Sequence, residues 1–188
     1  MAAARERWKA GQADLDPAKL VFVDETGANT KMVRHYGRAP KGKRVLDKQP
    51  WGHWKTTTFT CGLRCDGVVA PFVLDGTMNR DAFEVYVEKV LAPSLSPGDW
   101  VILDNLAAHK GDRVRALVEA RGARLVFLPP YSPDLNPVEM AFAKLKALLR
   151  KAAERNVAAL WDRIGELLDA FTPGECANYL AHAGYGAA

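Results

Sequence analysis

The chain has 188 residues, 48% hydrophobic and 26% charged, which fits one soluble globular domain with a real core and excludes a wholly disordered or collagen-like polymer. Basic residues outnumber acidic ones by 26 to 22, giving a net charge of +4 that hints at an anionic partner. No apolar run approaches the roughly 20 residues needed to span a bilayer, and the opening MAAARERWKAG lacks the apolar stretch of a signal peptide, so a cytoplasmic, non-membrane protein is expected.

Residues 1–19 are charged and weakly patterned, and read as a helical lead-in or linker. The run LVFV (20–23) ends in Asp24 and is short and uninterrupted, as a strand buried on both faces should be. A basic stretch follows, with Lys31, Arg34, Arg38, Lys41, Lys43, Arg44 and Lys48 against the single acid Asp47, and with His35, Tyr36, Trp51, His53 and Trp54 interleaved or just beyond. It reads equally as a nucleic-acid arm and as a solvated hairpin. KTTTFTCGLR (55–64), a Cys65-Asp66-Gly67 turn and VVAPFVL (68–74) then predict an antiparallel hairpin.

Asn79 is placed to cap a helix whose Phe83, Tyr86, Val87, Val90 and Leu91 recur at helical spacing, ended by Pro93 and Pro97-Gly98. WVIL (100–103) is a second buried strand finishing on an acid, Asp104. A helix with Val114, Leu117 and Val118 on one face stops at Gly122, and ARLVFL (123–128) is a further strand. The proline-rich LPPYSPDLNP leads into a helix from about Pro137 to Ala153. A last amphipathic helix carries Leu160, Ile164 and Phe171 and is closed by Pro173-Gly174. The order implies a mixed α/β domain over 20–175 with helices on both faces and a tail at 176–188. Cys61, Cys65 and Cys176 offer neither zinc spacing nor a disulfide framework, and reduced thiols are expected.

In an open α/β sheet, functional groups collect beyond the carboxyl ends of the parallel strands, where Asp24 and Asp104 both fall. Two carboxylates that close repel, and a divalent ion relieves the repulsion. Hard oxygen ligands suit Mg²⁺ or Mn²⁺, and a pair of ions roughly 3.5 to 4 Å apart can act on both sides of a phosphodiester. Glu139 has two readings. With Asn136 as N-cap and Pro137 in the first turn, it completes a capping box; carried by the stiff loop to the same end of the sheet, it is the third acid.

The motifs VFVDETG (21–27), VILDNLAAHK (101–110) and FLPPYSPDLNPVEMAFAKLK (127–146) resemble the three acidic blocks of the mariner superfamily of transposases, specifically its bacterial insertion-sequence branch. The 34 residues between Asp104 and Glu139 (105–138) match that superfamily's spacing. The resemblance covers the chain from about Leu20 onward. It implies a ribonuclease H-like catalytic domain in which Asp24, Asp104 and Glu139 bind Mg²⁺ or Mn²⁺, two ions in all. The implied reaction is cleavage of transposon inverted-repeat ends and strand transfer into target DNA, by a homodimer on the DNA. Members of the family carry helix-turn-helix modules ahead of this domain; here that part is expected from an upstream segment, joined by ribosomal frameshifting or fusion.

Around the acids, Glu25 should point to the opposite face of its strand and serve as a supporting acid, with Thr26 and Asn105 as hydrogen-bonding neighbours. His109 is placed either to meet a phosphate or to cap a helix. Lys146 and Arg150 fall near the face of Glu139 and extend a basic strip, either along DNA or as solvated surface. Trp51 and Trp54 suit stacking on an unpaired base, although packing on the core is the commoner fate of such side chains. Two other functional classes stay open at this point: a metal-dependent phosphohydrolase, and a nucleic-acid-binding remnant of a mobile element that no longer cleaves.

Overall fold

The computed structural model describes residues 2–34, 36–46, 48, 50–51 and 54–186. Five strands form one sheet: β1 (Leu20–Asn29), β2 (Thr56–Arg64), β3 (Gly67–Asp75), β4 (Trp100–Leu103) and β5 (Arg124–Phe127), in the order β3-β2-β1-β4-β5. β1 pairs antiparallel with β2 and parallel with β4, and β5 extends the parallel half. Helices α1 (Ala2–Gln12), α2 (Arg80–Tyr86), α3 (Asp112–Glu119), α4 (Val138–Ala152), α5 (Val157–Leu167) and α6 (Pro173–His182) complete the domain.

Alternation along β1 explains the layers. Leu20 and Phe22 join Phe59, Leu63 and Ile102 under α4, α5 and α6, whereas Val21 and Val23 join Val101 and Leu103 under α2 and α3. Both faces of the central strands are therefore covered, which is why their sequences read as unbroken apolar runs. The β2–β3 hairpin closes at the expected Asp66-Gly67 position, with Arg64 opposite Gly67. Asn79 caps α2 as expected, its Oδ1 accepting from the Ala82 N–H at 2.9 Å.

Two expectations change. β1 does not stop at Asp24 but runs on to Asn29, because β2 still pairs with it after β4 has ended at Leu103. Pro173 opens a helix instead of closing one: it occupies the first turn of α6, and Thr172 caps that turn through the Glu175 N–H at 3.4 Å. Proline suits a helix start as well as it marks a stop, so the sequence signal was two-sided. α6 and the turn after it send Cys176, Leu180, Ala183 and Tyr185 into the core, within the stretch read as a tail.

The entry to β4 is held by a buried ion pair. Arg64 on β2 bonds both carboxylate oxygens of Asp99, which also accepts from the Ser96 N–H at 2.7 Å. Burial alone would raise the Asp99 carboxyl; the Arg64 and Ser96 hydrogen bonds overcome it and hold the group below the usual carboxylate range. Asp99→Ala should therefore cost about 3 kcal/mol near neutral pH, since it strands a half-desolvated guanidinium. A carboxyl with a depressed folded pKa stabilises above its unfolded value near 4 and loses that contribution as pH falls through the folded value. The gap between wild type and variant in urea midpoint should narrow from about pH 5 to pH 2. A gap that stays constant over that range would refute the assignment.

Candidate active site

Val23 pairs with Leu103 across β1 and β4, so Asp24 and Asp104 are the next residue on each of two adjacent parallel strands. Asp24 is 9% exposed. Its Oδ1 accepts from the Glu25 N–H at 2.7 Å and its Oδ2 from Asn136 Nδ2 at 2.9 Å. Burial pushes its carboxyl up to about 7, and the charges of Asp104, Glu25 and Glu139 push the same way, against the opposing Glu25 N–H bond. Asp24 is thus close enough to feel both of the other predicted acids.

Asp104 Oδ1 accepts from the Leu106 N–H at 3.1 Å and stands 2.7 Å from His109 Nδ1. The other ring nitrogen, Nε2, is 3.0 Å from Glu25 Oε1. His109 is fully buried, lies in a single turn (Ala107–His109) and packs on the Phe83 ring at 4.2 Å. Burial alone would lower its pKa, but the hydrogen bonds to Asp104 and Glu25 raise it to about 9, so the imidazolium donates both N–H groups at neutral pH. Both ring nitrogens are taken by carboxylates, so the ring cross-braces Asp104 and Glu25. Glu25 points away from Asp24, as alternation required, and meets His109 on the α2 side of the sheet. Its Oε2 and the Oγ1 of Thr60, its cross-strand partner, are buried and make no hydrogen bonds among the described residues.

The loop before α4 differs from the capping expectation. Pro137, not Asn136, is the residue flanking α4, and no side chain caps the helix. Asn136, 4% exposed, donates its Nδ2 to Asp24 instead, a charge-assisted bond, while its Oδ1, the atom that a cap would use, accepts no hydrogen bond among the described residues. Glu139 is exposed in the first turn of α4, and its side chain makes no hydrogen bond or ion pair among the described residues. Val138, Ala141, Phe142, Leu145 and Leu149 bury the opposite side of the helix, with Phe142 edge-on to Phe59 at 6.2 Å, and this packing fixes which way Glu139 faces.

Among the described residues, no three His, Cys, Asp or Glu side chains stand close enough to enclose a metal ion. The donor chemistry nevertheless suits a hard divalent cation: all three groups are carboxylates, Asp24 feels the charges of the other two, and neither the second oxygen of Asp104 nor the Glu139 carboxylate is engaged in a hydrogen bond among the described residues. Thr26 is buried beyond Asp24 on the same face, while Asn105 lines a separate hollow with Trp8 and Phe127; neither bonds an acid.

The arm joins the antiparallel strands β1 and β2, and its own described residues contain neither helix nor strand. Arg34, Arg38, Lys41, Lys43 and Arg44 are exposed, and His35, Asp47 and His53 lie outside the described residues. Trp51 is 98% and Trp54 52% exposed, so neither packs in the core. Lys31 Nζ sits 4.4 Å above the Trp54 ring, and both line a hollow of about 400 Å³ with Lys146 and Arg150 of α4. The basic strip expected on α4 therefore meets the root of the arm. The roles of Asn136 and of α6 were not foreseen from the sequence; an Asn-Pro pair before an acid carries a cap signal and nothing that points to a residue 112 positions away.

No helix among the described residues is long and apolar enough to cross a membrane. No curated protein matches the sequence. Among solved structures, the pre-cleavage Mos1 transpososome superposes with a TM-score of 0.75 at 15% identity, covering 96% of this chain and 57% of that one. The mariner Mos1 paired end complex with Mg gives 0.71 at 17% identity, covering 99% and 61%. The catalytic domain of Mos1 mariner transposase gives 0.68 at 16%, covering 97% and 83%. The chain thus spans little more than half of the full-length Mos1 chain, and at these identities the likeness is one of fold, the ribonuclease H-like mixed sheet. The family model described as DDE superfamily endonuclease matches residues 19–160, from the start of β1 to α5 and across all three acids, and the chain belongs to that family.

Proposed function

We propose that this chain is the catalytic domain of a DNA transposase of the mariner superfamily's bacterial insertion-sequence branch, cutting transposon-end DNA and joining it to target DNA with Mg²⁺ or Mn²⁺. The observation that carries the proposal is the placement of Asp24 and Asp104 one residue past the paired Val23 and Leu103 on adjacent parallel strands, with Glu139 in the first turn of α4, all within the span matched by the family model. A protein that buries one acid among others and leaves Glu139 unpaired forgoes stability, which is understandable if a cation completes the cluster. Mos1 has been solved in paired-end complexes with Mn and with Mg, which supports these metals here.

Asp24, Asp104 and Glu139 would hold the metal, since a divalent cation or a pair of them can satisfy all three carboxylates at once. Bound there, it would supply charge to stabilise the leaving oxygen and activate the attacking hydroxyl. The protein's own contribution is positional. Asn136 holds one oxygen of Asp24, His109 holds one oxygen of Asp104, and the buried side of α4 holds the backbone of Glu139. Lys31, Lys146 and Arg150, with Arg34, Arg38, Lys41, Lys43 and Arg44 of the arm, would hold the phosphate backbone beside the acids, and Trp54 would offer a face to an unpaired base. Recognition of specific ends is assigned to an upstream helix-turn-helix segment or fusion, and the active form on DNA to a dimer, in keeping with Mos1 paired-end complexes.

Glu139→Gln should leave α4 intact, since no side chain caps it, and should reduce metal-dependent cleavage of inverted-repeat DNA by more than the roughly 10- to 100-fold that loss of an outer partner costs. Circular dichroism beside a cleavage assay decides; a Gln variant that cuts at the wild-type rate and keeps its Mn²⁺-induced stabilisation removes Glu139 from the metal site. Reversing Arg38, Lys41, Lys43 and Arg44 to Glu should flatten the salt dependence of DNA affinity by about 0.9 in log–log slope for each phosphate that is no longer neutralised. An unchanged slope would mean that the arm does not touch DNA.

A further inference from the structure

The first and last helices converge on the loop that delivers Glu139. Arg5 of α1 grips that loop with its two terminal guanidinium nitrogens, Nη1 and Nη2, on Asp134, at 2.9 and 2.7 Å. Deeper in, Trp8 Nε1 donates to the Tyr185 hydroxyl at 2.8 Å, and that hydroxyl donates to the Leu135 carbonyl at 2.8 Å. Leu135 immediately precedes Asn136, whose amide holds Asp24. The Tyr185 ring packs on Phe22, two residues before Asp24, at 4.6 Å between centroids. One buried side chain therefore touches both the strand bearing the first acid and the loop bearing the third.

Local geometry shows how Tyr185 comes to be there. After α6, Gly184 takes φ +92°, and the N–H groups of Gly184 and Tyr185 return to the carbonyls of Ala181 and Leu180, a Schellman turn that reverses the chain inward. A Cβ at Gly184 would come within 3.2 Å of Gln12, whose amide ties α1 to the Ala183 carbonyl at 2.9 Å.

We propose that Tyr185 is a positioning residue for the acid centre: its hydroxyl, polarised by Trp8, fixes the Leu135 carbonyl and so sets Asn136 against Asp24 and the start of α4 beside both strands. This rests on the function proposed above. Tyr185→Phe keeps the ring on Phe22 and removes both hydrogen bonds, whereas Trp8→Phe removes only the donor to the hydroxyl. Tyr179→Phe is the matched control, deleting a hydroxyl on α6 that bonds Glu175 at 2.7 Å, away from Leu135.

The test reads the metal-free protein first. Hydrogen–deuterium exchange over residues 131–139 should quicken in Tyr185→Phe and in Trp8→Phe, and not in Tyr179→Phe. Mn²⁺ affinity by calorimetry should then weaken about tenfold in Tyr185→Phe, with kcat for end cleavage falling by a similar factor and KM for DNA unchanged. The double variant Trp8→Phe/Tyr185→Phe should be no worse than Tyr185→Phe alone, because both act through one hydroxyl. Wild-type exchange, metal affinity and kcat in Tyr185→Phe, or an equal loss in Tyr179→Phe, overturn the positioning role while leaving the catalytic reading intact. A wild type that neither takes up Mn²⁺ nor cleaves overturns the catalytic reading and this one with it.

Discussion

The hydrogen bond from Asn136 to Asp24 is the contact on which the acid centre depends. Asp24 lies on the central strand, where burial disfavours its charge and neighbouring acids add to the cost. A donor from another part of the chain is the physical answer to that cost, and it determines the rest: the loop must reach the carboxyl end of β1, and α4 must begin there. The helix starts without a side-chain cap among the described residues. Burial of its apolar side against β1 and β2 offsets that lack and aims Glu139 outward.

On the far face of the sheet, His109 holds Asp104 in another way. The fully buried ring lies between Asp104 and Glu25, with one nitrogen on each carboxylate, and packs on Phe83. The two braces work from opposite sides of one sheet, so Asp24 and Asp104 are each held by a group that does not compete with the other.

The fold was legible where the signal was local. Unbroken apolar runs finishing on Asp24 and Asp104 announced buried parallel strands, Asp66-Gly67 announced the hairpin, and Asn79 announced a helix start, because burial on both faces, tight turns and caps are each written within a few residues. Contacts between distant residues were not legible. Asn136 and Asp24 are 112 positions apart and His109 and Glu25 are 84 apart, and nothing local distinguishes a capping asparagine from one that serves a carboxylate. Pro173 misleads for a different reason: the same residue type both stops and starts helices, and only the packing of Cys176 and Leu180 resolves it. Residue type alone points Trp51 and Trp54 toward the core, whereas the arm has no second layer to bury them.

The clasp of Trp8 on Tyr185 closes a span of 177 residues, while the sheet that it finishes is built largely from nearer neighbours. Contacts of long sequence separation carry the largest loop-closure cost and form late. During synthesis all three acids emerge before Tyr185 does, so the strands can pair while the loop carrying Asn136 still lacks its anchor. A nascent chain would then hold its acids unaligned, and the finished acid centre would arrive as the last event of folding, after the scaffold that must restrain it.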